Sequence, residues 1–153
     1  MTKEIEELKK IRKVTEEEIS EAIKGVNNVD AKGKHPGMVQ MLNWLSGDFV
    51  NYIGYTVITS KRKIICILNN DSSCCEEWDV EYNKEKTRAK NFKIVLNVDD
   101  VDGDYYEGSA VELIVTENNT KHTIKLWNSH NGYYAHDYFI FDTSGEFVKG
   151  GLI

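Results

Sequence analysis

Proline is nearly absent. Pro36 stands alone among 153 residues, which excludes a proline-rich stalk or linker. Cysteine is scarce as well: Cys66, Cys74 and Cys75 leave one over in any disulfide scheme, the pattern expected in a reducing compartment. Arginine occurs three times, at Arg12, Arg62 and Arg88, in a chain of formal net charge −6. Proteins that hold DNA by its phosphates normally present a basic face, so direct nucleic-acid binding is disfavoured and a basic protein partner is easier to accommodate. No apolar run reaches the roughly 18 residues that a membrane span needs. Met1-Thr2-Lys3-Glu4 does not begin as a signal peptide does. A cytoplasmic protein is expected.

What the chain does contain is enough for a core. Apolar residues are 41% and charged residues 29%, which excludes bulk disorder. A single domain of this length buries roughly 68–70% of the surface of its unfolded chain and needs no disulfide or structural metal to fold.

Residues 1–47 read as a helical segment. Ile5, Leu8, Ile11 and Arg12 recur near helical spacing, with Thr2 placed to cap the start. Thr15-Glu16-Glu17-Glu18 is a capping box, with Val14 and Ile19 set as a hydrophobic staple and Gly25 as a stop. Residues 27–37 read as a loop. Met38, Met41, Leu42 and Leu45 predict a third helix over Met38–Ser46.

From Phe49 the period changes to two. Strands are expected near Phe49–Thr59, Lys63–Asn69, Glu76–Tyr82, Asn91–Val98, Ala110–Thr116, Lys121–Asn128, Tyr133–Phe141 and Glu146–Leu152. Ser60-Lys61-Arg62, Asn118-Asn119 and Thr143-Ser144-Gly145 are turn-like connectors. The expected class is α+β, with residues 48–153 forming a mainly antiparallel, curled sheet or roll of about seven strands.

Charge is unevenly spread. Asp71, Glu76, Glu77, Asp79 and Glu81 form one acidic run, and Asp99, Asp100, Asp102, Asp104 and Glu107 another. Between them Lys84, Lys86, Arg88, Lys90 and Lys93 oppose Glu85 alone. Such runs are commonly just a solvated face, but two acidic clusters on one small sheet also suit a basic groove on a partner. Asp100-Val101-Asp102-Gly103 fails as a calcium loop: with Gly103 at the sixth position, Val98 falls where the first carboxylate belongs and Ser109 where the bidentate glutamate belongs.

Two further clusters stand out. Cys74 and Cys75 are adjacent, so on a strand they point to opposite faces and do not share a metal by themselves. One of them with His122, His130 or His136 leaves a metal-dependent hydrolase open. His130-Asn131-Gly132-Tyr133-Tyr134-Ala135-His136 contains a tight-turn Asn-Gly, followed by a strand with aromatics on both faces. Tyrosines bury area and keep a polar tip, which suits both cores and interfaces.

Ile53-Gly54-Tyr55-Thr56, then Cys74-Cys75-Glu76, then Trp127 and Asn131-Gly132-Tyr133-Tyr134, resemble a family of small phage and prophage proteins with no agreed activity. Its members pair Cys-Cys-Glu with a later Trp and Ser-Asn-Gly-Tyr-Tyr-Ser. The resemblance spans about Ile53 to Phe141, and His130 and Ala135 replace the two flanking serines. It implies a phage origin, a bacterial host cell and a compact β-rich domain.

The leading expectation is therefore a non-enzymatic, phage-encoded binding protein that inhibits a host defence effector such as a CRISPR nuclease. Its partner would be a basic nucleic-acid-binding protein, with no cofactor, metal or membrane involved, and self-association is left open. The partner-binding candidates are Glu76, Glu77, Asp79, Asp99, Asp100, Asp102, Asp104, Tyr105, Tyr106, Tyr133, Tyr134 and Tyr138. The alternative of a different class is capture of a nucleotide-like small ligand by Trp127, His130 and Asn131, together with Tyr133 and Tyr134.

Overall fold

Ile64, Ile65, Cys66, Ile67 and Leu68 follow one another without a polar interruption, and all five are buried. A strand that is apolar on both faces needs cover on both. The computed structural model, which describes residues 5–31, 52–69, 76–100, 107–130, 137–145 and 148–152, supplies that cover. Among the described residues there are nine strands and one helix. They run β1 (Leu8–Lys13), α1 (Glu16–Ala31), β2 (Tyr52–Thr59), β3 (Lys63–Asn69), β4 (Glu76–Lys86), β5 (Lys93–Asp100), β6 (Glu107–Glu117), β7 (Thr120–His130), β8 (Asp137–Asp142) and β9 (Val148–Leu152).

The strands form two open antiparallel sheets, ordered β1-β2-β3-β8-β9 and β4-β7-β6-β5. One face of the five-stranded sheet (Val57, Ile64, Cys66, Leu68, Tyr138, Ile140) meets Val80, Val111, Leu113, Val115, Ile124 and Leu126 of the four-stranded sheet. Its other face (Tyr52, Ile65, Ile67, Phe139) receives Ile19, Ala22 and Val26 of α1. The α+β class stands, but a pair of facing sheets with a helix outside replaces the expected roll of about seven strands.

β3 has the bounds that its sequence pattern predicts. The β6–β7 hairpin turns on Asn118 and Asn119 at φ 49° and 65°, the left-handed pair that a two-residue hairpin loop requires. The region before α1 is a correction. Leu8, Ile11 and Arg12 do not lie on a helix; they belong to edge strand β1, where the register slips between Leu8 and Lys10. The extra residue of that bulge turns both Leu8 and Ile11 toward the core, so a strand acquires a three-residue apolar spacing. α1 is also longer than expected. It continues past Gly25 because that residue is the point of closest approach to Phe141 rather than a stop. The helix expected over Met38–Ser46 lies outside the described residues.

The capping box forms as the sequence implies. Glu18 N–H donates to Thr15 Oγ1 at 3.2 Å, and Thr15 N–H donates to Glu18 Oε1 at 3.0 Å. Val14 and Ile19 share one apolar cluster. Glu18 is only 4% exposed, and Arg12 clamps it through two bonds of 2.6 and 3.0 Å. Burial alone would raise the Glu18 pKa. The Arg12 guanidinium and the Thr15 N–H and hydroxyl outweigh it and hold the carboxyl at about 2, against 4.5 in the unfolded chain. A pKa depressed on folding contributes stability above 4.5 that is lost as pH falls toward 2, here about 3 kcal/mol in full. Urea unfolding of the native chain and Glu18→Gln from neutral pH down to pH 2 should therefore converge across that window. A gap that stays constant would contradict this role of Glu18.

Candidate interaction surface

The two acidic runs lie far apart in sequence, and strand order brings them together. In the four-stranded sheet, Glu76 is opposite His130, which is opposite Glu107. Three positions further in, Asp79, Trp127, Ala110 and Asp99 form one row across all four strands. Val80, Leu126 and Val111 of the next row point into the core, so by alternation Asp79 and Trp127 lie on the outer face, while Ala110 between the neighbouring strands is buried. Glu76, Glu77 and Asp79 thus occupy one edge of the sheet end, Asp99 and Asp100 the other, with Trp127 between them. Asp79 is exposed and Trp127 half-buried.

The opposite end of the same sheet is basic. Lys84 and Lys86 end β4, Lys121 begins β7 and Lys93 begins β5, with Arg88 and Lys90 in the β4–β5 connection. Lys121 Nζ pairs with Glu85 at 3.6 Å, both side chains partly exposed. The sheet is therefore electrically polar along strands that span about 35 Å.

Tyr138 is a correction. It is 5% exposed and packs between the sheets, where burial pushes its hydroxyl pKa upward, so its side chain is core rather than contact surface. The faces of this strand separate as their aromatics imply: Phe139 and Phe141 face α1, while Tyr138 and Ile140 face the four-stranded sheet. Asp102, Asp104, Tyr105, Tyr106, Asn131, Tyr133 and Tyr134 lie outside the described residues.

Beside Asp79 is a cleft of about 520 Å³ that the sequence did not reveal. Ile19, Tyr52, Ile53 and Val80 contribute apolar lining, while exposed Lys13, Glu16 and Asp79 bring charge. Four elements meet there (β1, α1, β2 and β4), and no local motif connects them.

A second polar cluster lies toward the basic end. Tyr82 Oη and His122 Nδ1 are 2.6 Å apart with their rings stacked, and Tyr55 leans on Tyr82 at 5.9 Å between centroids. Burial and then Lys84 lower the His122 pKa against the opposing pull of Glu117, so the neutral ring is favoured. His122 and His130 lie eight residues apart on β7, about 26 Å, and cannot share one site. Cys66 is buried between the sheets, where burial pushes its thiol pKa far up. Among the described residues no three of His, Cys, Asp and Glu converge to hold a metal ion. Cys74, Cys75 and His136 lie outside those residues. No described helix is long and apolar enough to cross a membrane.

No protein-family model, curated protein or solved structure matches the chain significantly.

Proposed function

We propose that this chain is a binding protein that meets a basic protein partner with the acidic end of its four-stranded sheet. One observation carries the reading: Glu77 and Asp79 on β4 and Asp99 on β5 lie at the same sheet end and in the same alternation as Trp127, which stands between the two strands. Glu76 and Asp100 fall in the alternate rows at that end. Like charges gathered at one end repel each other and add nothing to the fold, whereas a basic groove would gain from meeting them together. Trp127 adds a large half-buried aromatic of the kind enriched at interfaces. Taken with the resemblance to phage proteins, the partner is a nucleic-acid-binding effector of host defence such as a CRISPR nuclease, and the effect is inhibition.

The test is association with a panel of purified CRISPR nucleases, measured for the native chain and for Glu77→Lys/Asp79→Lys. Steered association should slow by about tenfold or more in the variant, and native association should slow steeply as salt is raised. Folding should change little, by about 0.5 kcal/mol at exposed Asp79. Native binding that ignores both salt and charge reversal, or no binding across the panel, would reject the reading.

A further inference from the structure

Open sheets have edges, and natural proteins blunt them. Three of the four edges here are blunted. β1 carries Lys9, Lys10, Arg12 and Lys13 and a bulge. β4 is charged at Glu76, Glu77, Asp79, Glu81, Lys84, Glu85 and Lys86. β9 has five residues, including Lys149, Gly150 and Gly151. β5 is different: eight residues pair with β6 in unbroken register, and Ile94-Val95-Leu96-Asn97-Val98 contains no charge, proline or glycine. Ile94, Val95 and Leu96 are only half-buried, and among the described residues no strand pairs with the far side of β5.

The sequence of β5 complements itself. Set antiparallel against a second copy with Leu96 facing Leu96, the core-side row reads Ile94–Val98 and Leu96–Leu96. The outer row reads Val95–Asn97 and Lys93–Asp99, an opposite-charge pair formed twice by symmetry. A one-residue slip loses this, since it sets Ile94 against Asp99 and Leu96 against Asn97. The wider field agrees. The two-fold that pairs β5 with itself lays the acidic end of one four-stranded sheet beside the basic end of the other.

We infer that this protein forms a homodimer through antiparallel β5–β5 pairing, joining two four-stranded sheets into one of eight strands. This inference rests on the β5 edge and not on the proposed partner reading: it shares Asp99 with the partner site, while Glu76, Glu77 and Asp79 lie on β4 at the far edge of the sheet. Sedimentation equilibrium of the native chain, Lys93→Glu, and Lys93→Glu/Asp99→Lys tests it. The native chain should be dimeric. Lys93→Glu sets like charges opposite each other twice and should weaken the dimer by about tenfold, and the charge-swapped double variant should recover it. Recovery is not something a folding defect produces. Mixed Val95→Cys and Asn97→Cys chains, mildly oxidised and peptide-mapped to distinguish the native thiols, should cross-link 95 to 97. A native chain that stays monomeric, including one that pairs this edge with a different protein, would overturn the inference. So would a dimer that ignores the charge swap or cross-links in another register.

Discussion

Arg62→Ala is expected to lower the unfolding free energy by about 3–5 kcal/mol, the cost of stripping a buried carboxylate of its partner. Arg62 is 9% exposed and joins two acids from opposite ends of the chain. Its Nε and Nη2 donate to Glu6 at 2.9 Å each, and its Nη1 donates to Asp142 Oδ2 at 2.8 Å. Glu6 is 12% exposed and Asp142 wholly buried, so neither can turn to water when the guanidinium is removed. Burial alone would raise the Glu6 pKa, but Arg62 and the Thr59 hydroxyl at 2.6 Å hold it below its usual value. Asp142 Oδ1 still accepts from Ser144 N–H and Oγ, which leaves the carboxylate hydrogen-bonded but its charge unbalanced. Adding Asp142→Asn to Arg62→Ala should therefore restore part of the loss, because it removes that charge and keeps an acceptor for Ser144. Urea unfolding of the two variants checks this. A loss under about 1 kcal/mol, the range of exposed ion pairs, would mean that water reaches the site.

The same network explains how the residues before β1 hold to the fold although Ile5 and Glu7 are exposed. Ile5 is 84% exposed, so its apolar side chain contributes no anchor. Polar bonds supply it instead. Glu6 reaches Arg62 and Thr59, Glu7 N–H donates to Ser60 Oγ at 3.0 Å, and Ser60 N–H donates to Glu7 O at 2.9 Å. The β2–β3 turn thus fixes the approach to β1, and β1 sets where Thr15 and α1 begin.

Local chemistry was legible and long-range order was not. The apolar run of β3, the Thr15–Glu18 box and the Asn118-Asn119 turn each have a cause within a few residues, and each is found where its cause lies. β1 was misread because a bulge gives a strand the spacing of a helix, and a bulge depends on the partner strand. Gly25 was misread because its reason for being glycine is Phe141, more than a hundred residues away. The candidate surface divides in the same way. Two acidic runs are plain in the sequence, but the order β4-β7-β6-β5 that brings them to one sheet end is set by pairing between distant strands. Tyr138 shows the limit of composition: it shares a strand pattern with interface-like tyrosines, and only the facing sheet decides that it is core.

The contrast between two glycines gives the sharpest test of the packing. Gly54→Ala is expected to cost about 3 kcal/mol or more, and Gly25→Ala much less. A Cβ at Gly54 would stand 1.8 Å from the Cys66 carbonyl oxygen, 2.8 Å from its carbon and 2.9 Å from Ile67 Cα. All three atoms are backbone of β3, which is buried on both faces and bonded on both edges, so no side chain can move aside. β2 would have to lift away, and Gly54 O also accepts from Val14 N–H at 3.1 Å, so the end of β1 would go with it. At Gly25 the obstacle is the ring edge of Phe141, with Cε2 2.1 Å away. That ring is half-buried and can swing, and alanine gains about 1 kcal/mol over glycine inside a helix. The two effects at Gly25 oppose each other, whereas at Gly54 nothing offsets the clash. Urea midpoints should therefore fall far more for Gly54→Ala than for Gly25→Ala. The reverse order would mean that β2 and β3 approach less closely at Cys66 than the fold requires.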